Sequence, residues 1–190
     1  MSTVATPKPK NPCLVVTGEV RLSYVTLLEP RKFNETDADA KYSVTILIDK
    51  STDNGKATIE RIKAGFKAAV IKGSAKHFDG RVPENVNNTL KDGDVECDDL
   101  GDLKSSKNPE YAGHMYMRLS TKYKPSILDN NMVAIIDPAL VYSGVYGAVS
   151  LTTFPYSGDG RRGVSAVLNN VKILRDGESL TTHVTGDELA

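Results

Sequence analysis

Residues 141–174 read VYSGVYGAVSLTTFPYSGDGRRGVSAVLNNVKIL. Apolar and polar side chains alternate through both ends of this run, and SGDGRR (157–162) interrupts them with a turn signal. The pattern predicts a long antiparallel hairpin, with strands over 141–156 and 163–174. Successive side chains of a strand point to opposite faces. One register of 141–156 therefore carries Val141, Val145, Val149 and Leu151. The other carries Tyr142, Gly144, Tyr146, Ala148, Ser150, Thr152, Phe154 and Tyr156. Gly144 and Gly147 are places to bend, and glycines and bulges let long strands curl towards a barrel.

The same alternation recurs upstream. LVVTGEVRLSYVTLL (14–28) predicts a half-buried strand with Leu14, Val16, Val20, Leu22 and Tyr24 inward and a bulge or bend at Gly18. KYSVTILID (41–49) predicts another, with Tyr42, Val44, Ile46 and Ile48 inward. A third spans roughly 112–124. Its core is MYMRLSTKYKP (115–125), where Met115, Met117 and Leu119 face one way and Tyr116, Arg118, Ser120, Lys122 and Lys124 the other. Short strands are expected near Thr89–Lys91 and at Met132–Ile136. The period changes once. In KATIERIKAGFKAAVIK (56–72), Ile59, Ile62, Phe66, Ala69 and Val70 recur at helical spacing. Asp53 or Asn54 can cap that helix and Gly73 can end it. The expected fold is mainly β: an OB-like, partly closed barrel of five or six strands with one amphipathic helix and long loops. An open antiparallel sheet with a packed helix is the alternative.

A chain of 190 residues, 39% hydrophobic and 25% charged, fits one soluble domain with long loops or a tail. No apolar run has the length of a membrane span, and MSTVATPKPKNP (1–12) lacks the apolar core of a secretory signal. We read residues 1–13 as a flexible lead-in, 14–178 as the domain and 179–190 as an acidic C-terminal tail, in a protein that stays in the cytoplasm. Cys13 and Cys97 are far apart and read as reduced thiols, and His77, His114 and His183 show no metal spacing. Gly158-Asp-Gly160 is a turn signal rather than a phosphate loop. No catalytic residue, metal or cofactor is assigned.

The net charge of zero hides a segregation. DGDVECDDLGD (92–102) holds six acids and DGESLTTHVTGDELA (176–190) four, neither with a Lys or Arg. Setting these ten aside leaves 14 acids against 24 bases on the other 164 residues. A body of that sign suits an anionic partner, unless the acidic segments fold back to neutralise it. The outward registers collect the complementary groups: the rings of Tyr116, Tyr142, Tyr146, Phe154 and Tyr156, and the cations of Arg21, Arg118, Lys122, Lys124, Arg161 and Arg162, with Arg31 and Lys32 after the first strand. Flat side chains stack on unpaired bases for about 1–3 kcal/mol per base. Cations displace counterions from phosphates, which makes binding salt-dependent. Rings among cations, with small residues between, therefore suit single-stranded nucleic acid bound with little sequence preference. Tyrosine on a strand is also a common packing residue, and the register can slip at either glycine.

These stretches resemble a family of tailed-phage and prophage single-stranded DNA-binding proteins. The resemblance is carried, in order, by Gly18-Glu-Val-Arg-Leu-Ser-Tyr24, Glu29-Pro30, Lys41-Tyr42-Ser43, Asp92-Gly93-Asp94, Tyr111-Ala112-Gly113-His114, Lys122-Tyr-Lys-Pro125, Asp137-Pro138, Val141-Tyr-Ser-Gly144, Leu168-Asn-Asn170 and Arg175-Asp-Gly177. It implies an OB-like fold, a non-enzymatic coat on single-stranded DNA in phage replication and recombination, and contacts to replication or recombination proteins through an acidic tail. A homodimer is compatible with it. This chain departs from the pattern at Gly186-Asp-Glu-Leu-Ala190, with two acids and no terminal aromatic. Two other readings remain: a phage capsid or tail protein using the aromatic register for subunit contacts, and a Mg²⁺-dependent nuclease using the acids of 92–102.

Overall fold

In the computed structural model, which describes residues 11–32, 34–36 and 38–181, nine strands and one long helix surround one principal core. They follow as β1 (Leu14–Val16), β2 (Val20–Arg31), β3 (Lys41–Asp49), α1 (Asp53–His77), β4 (Asn87–Asn88), β5 (Lys91–Asp92), a single-turn α2 (Lys104–Lys107), β6 (His114–Thr121), β7 (Ser126–Leu128), β8 (Tyr146–Gly158) and β9 (Arg161–Arg175). Five of them close a ring in the order β8-β2-β3-β6-β9 and back to β8. Most neighbours are antiparallel, but β6 and β9 run parallel, with Ser120 opposite Val167. This is the OB-like barrel that the bent, alternating strands predict. Most residues 1–13 of the expected lead-in and most of the 179–190 tail lie outside the described residues.

Alternation sets the barrel interior. Val44, Ile46 and Ile48 of β3, Met117 and Leu119 of β6, and Val149 and Leu151 of β8 are buried together. The β8–β9 turn consists of Asp159 (φ 50°) and Gly160 (φ 75°). Two residues in the left-handed region match the twist of the flanking strands. Helix α1 lies against β8 and β1 through small residues. A Cβ on Gly73 would fall 2.3 Å from Pro155 Cγ, and one on Gly65 2.6 Å from Val15 Cγ2. Gly73 therefore packs inside the helix instead of ending it. Thr52, rather than Asp53 or Asn54, is the cap, its Oγ1 accepting from Gly55 N at 3.0 Å.

Four expected strand features differ. The run 14–28 is two strands with opposite phase: Val15 is buried while Leu14 and Val16 are exposed. The break is at Gly18, whose N–H donates to Thr58 Oγ1 at 2.9 Å as the helix start presses on it. The third strand ends at Thr121, so Lys122 and Lys124 sit in the bend that follows. Residues 132–136 form a loop joined to β7 by one bridge, Leu128 to Ala134, and the hairpin strand starts at Tyr146. Cys13 belongs to the core, its carbonyl accepting from Thr153 N at 2.9 Å. No helix of the described residues is long and apolar enough to cross a membrane.

Candidate nucleic-acid interface

The outer faces of β2, β3 and β6 lie side by side, and their registers bring specific side chains into rows. Arg21 is opposite Leu47 and Leu47 opposite Tyr116; Ser23 is opposite Thr45 and Thr45 opposite Arg118. Ser23, Ser43 and Thr45 are nearly sealed from solvent. Their short hydroxyl side chains leave a trough between bulkier neighbours. The trough is about 1340 Å³. Six cations line it (Arg21, Arg31, Lys32, Lys104, Lys107 and Arg118) against two acids, Glu110 and Glu178.

Three rings furnish one side. A β-bulge interrupts the β2–β3 register between Ser23 and Thr26, and Tyr24 occupies it with φ 46°. The expectation that Tyr24 is a core residue is therefore overturned: it is 55% exposed and lines the trough. The bulge is forced by Leu22 and Leu27. Both are buried, yet their odd spacing would put them on opposite faces of a regular strand. Tyr116 lies on the expected outer face but is not open to solvent. The segment Lys104–Tyr111 roofs it, with the Tyr111 and Tyr116 ring centroids 4.6 Å apart and tilted by 56°. Lys104 Nζ donates to the Tyr116 hydroxyl at 3.2 Å, and this bond raises the lysine's pKa. Burial, with Tyr24 and Glu110 nearby, pushes the Tyr111 phenol upward.

The chain from Asp176 to Thr181 crosses the trough's end. Arg21 Nη2 donates to Glu178 O at 2.7 Å and Leu180 N to Ser143 O at 2.9 Å. The Leu180 side chain packs on Leu47, Tyr111 and Tyr116. Tyr142 is half-buried, donates to Asp176 Oδ1 (3.1 Å) and Gly177 O (2.9 Å), and accepts from Gly177 N (3.1 Å). It is a strut for this strap, not a free platform. Tyr146 has one face against the Arg175 guanidinium, 3.6 Å from its centroid, with Arg21 at 5.7 Å.

The other sequence-derived candidates fall into two separate groups. Phe154 is 40% exposed, and Tyr156, Arg161 and Arg162 lie beside it towards the hairpin tip. Tyr156 lies over Gly163, and Arg162 pairs with Asp79 at 2.9 Å. Lys122 pairs with Asp39, which raises the lysine's pKa and lowers that of the acid; Lys124 is exposed two residues on. Because β6 and β9 are parallel, the tip lies towards the His114 end of β6 and the lysines follow its Thr121 end. The structure thus brings Arg21, Tyr116 and Arg118 to the trough, places Tyr146 beside Arg21 just outside it and Tyr142 under the strap, and leaves the rest at two ends of the barrel. Tyr24, Tyr111, Lys104 and Lys107 are trough residues that strand alternation alone does not find.

The acidic segment folds back on this body. Lys107 is bound by Asp98 and, at 3.1 Å, by Asp102; its pKa is raised and that of Asp98 lowered by their hydrogen bond. Lys50 bridges Asp92 and Asp94, 2.6 Å from each. No group of three or more His, Cys, Asp or Glu placed to hold a metal occurs among the described residues.

Residues 13–189 match the family model described as Enterobacter phage Enc34, ssDNA-binding protein. A curated relative, putative protein p50 of Acyrthosiphon pisum secondary endosymbiont phage 1, is 32% identical over 165 residues, 86% of this chain and 84% of that protein. The solved single-stranded DNA-binding protein from bacteriophage Enc34 in complex with ssDNA superposes with a TM-score of 0.72 at 21% identity, covering 93% of this chain and 97% of that one. The gp2.5 single-stranded DNA-binding protein of bacteriophage T7 gives 0.56 at 12% identity over 90% and 97%. Those two likenesses concern the fold.

Proposed function

The chain belongs to the family of the Enterobacter phage Enc34 ssDNA-binding protein, and from that membership we propose that it coats single-stranded DNA, without sequence preference and without catalysis, in phage DNA replication and recombination in the host cytoplasm. The observation that carries this reading is the trough across β2, β3 and β6. OB-folds take oligonucleotides on the face of their second and third barrel strands and with the loops joining strands one to two and four to five. Here that face is β3 and β6. The corresponding loops are 32–40, next to Lys32 and Lys122, and the 159–160 turn, next to Arg161 and Arg162.

In this reading Arg21, Arg31, Lys32, Lys104, Lys107 and Arg118 take phosphates and Tyr24 supplies an open ring face. Tyr146, Phe154 and Tyr156 extend the surface beyond the trough. The small hydroxyls of the floor fit any base. Duplex DNA offers phosphates but hides its base faces, so it should bind more weakly.

Fluorescence anisotropy with a labelled oligonucleotide, single-stranded and annealed, over a salt series tests this. The expected result is tight single-strand binding that weakens linearly on a log–log salt plot, with weaker duplex binding. Equal affinity for both forms would defeat the stacking component, and Mg²⁺-dependent cleavage of the oligonucleotide would replace the reading with an enzymatic one.

A further inference from the structure

Of the ten residues 131–140, NMVAIIDPAL, all but Ile135 are exposed. Met132 is 62% exposed, Val133 60%, Ile136 85% and Leu140 47%. An apolar stretch this open marks an interaction site more often than a chance of surface composition. The loop is held in shape. Asp129 Oδ1 accepts from Asn131 N (2.8 Å) and Val133 N (2.9 Å), Ile135 N donates to Ile127 O (2.8 Å), and Asn130 Nδ2 donates to Leu174 O (2.9 Å). Asp137 Oδ1 caps the turn Pro138–Leu140 through Ala139 N. A pre-ordered loop loses little entropy on docking.

The same chain carries a counterpart. Between α1 and residues 82–88 lies a cleft of about 380 Å³, lined by Phe66, Val70, Val82, Val86 and Val164. Lys67 and Lys63, both exposed, flank it, Lys63 already paired with Glu60 at 3.2 Å, and Glu84 is the one acid of the lining. The loop has the opposite sign. Asp137 is its only charge, Asp129 lies two residues before the loop, and the chain has no Lys or Arg between Lys124 and Arg161.

We propose that the 131–140 loop of one copy seats in the α1 cleft of a second copy, Ile136 entering beside Phe66 and Val70 while Asp137 faces Lys67. The two surfaces differ, so the contact is heterologous and repeats head to tail instead of closing a pair. On a single strand the next copy is held at high effective concentration, so a contact weak in free solution becomes effective there. That last step rests on the single-strand reading above; the contact itself does not.

The test compares an oligonucleotide of about 8 nucleotides, close to one OB-fold's site, with long poly(dT). Ile136→Asp, Lys67→Glu and Asp137→Asn each alter an exposed side chain, and the asparagine keeps an Oδ1 to cap Ala139 N. The expected result is unchanged affinity for the short oligonucleotide and an apparent affinity for poly(dT) about tenfold or more weaker in Ile136→Asp and Lys67→Glu, with a smaller loss in Asp137→Asn. An unchanged ratio of long to short affinity in Ile136→Asp or in Lys67→Glu overturns the proposal. A DNA-free arm separates it from the single-strand reading. With Cys97→Ser, the pair Ile136→Cys and Lys67→Cys should give a ladder of disulfide-linked chains on air oxidation at high protein concentration. A single unlinked band there also overturns it, whatever the DNA experiments give.

Discussion

Tyr24 shows how one odd interval redirects a ring. Leu22 and Leu27 both claim the core, the strand takes a bulge to allow it, and the residue in the bulge turns out into the trough. Its hydroxyl reaches Asn108 Oδ1 at 3.4 Å, and the ring is 55% exposed. Replacing Tyr24 with Ala should therefore cost about 1–3 kcal/mol of single-strand affinity while leaving the salt slope unchanged, because a ring carries no counterion exchange. Tyr24→Phe should bind like the parent chain. Arg118 gives the complementary signature. It stands exposed beside Thr45 on the trough wall, and Arg118→Ala should reduce the log–log salt slope by at most about 0.7, the value for one phosphate contact on a single strand. Both are read from the same anisotropy series. A changed slope in Tyr24→Ala, or an unchanged one in Arg118→Ala, would reverse the roles assigned to the two side chains.

At the level of elements, the sequence makes local periodicity legible and leaves the layers that cover it unread. β3, β6 and the β8–β9 hairpin follow from alternation, and the Asp159-Gly160 turn from its composition. The roof over Tyr116 and the strap across Tyr142 do not follow. Each depends on a segment distant in sequence settling on an outer face that alternation marks only as polar. Gly73 makes the same point in α1. Helical propensity favours Ala over Gly by about 1 kcal/mol, yet the new methyl would overlap the rigid ring of Pro155. Gly73→Ala should thus be net destabilising, by about 1–3 kcal/mol in urea unfolding, against the sign of the propensity scale. The acidic loop and the roof form another such pair. Asp98 and Asp102 hold Lys107, and the depressed pKa of Asp98 keeps that latch charged down to pH values below the ordinary carboxylate range. Asp98→Asn with Asp102→Asn preserves the amide-accepting oxygen of residue 98 that orders the loop at Leu100 and Asp102. It frees Lys107 for a phosphate, so low-salt affinity should rise a few-fold, and the gain should vanish at high salt as screening removes the competition.

For the whole molecule, the barrel's connectivity decides how much DNA it can sense. The trough holds Arg21, at its strapped end, and Arg118, while Lys122 and Lys124 leave one end of β6 and Arg161 and Arg162 stand at the hairpin tip towards the other. Arg161 is six residues before Val167, the partner of Ser120, which at the rise of an extended strand is about 20 Å. An oligonucleotide just long enough to fill the trough cannot reach both outer groups. A series of increasing length should accordingly show two regimes. For the shortest strands, Lys122→Ala with Lys124→Ala and Arg161→Ala with Arg162→Ala should each leave affinity close to the parent value. Beyond the length that spans the barrel, both pairs should weaken binding and flatten the salt slope, and their effects should add because the groups share no partner. Lys122 and Arg162 must first leave Asp39 and Asp79, so each pair should flatten the slope by less than two full phosphate contacts. If either pair weakened the shortest strands as much as the longest, the DNA path would have to run over that end of the barrel and not through the trough.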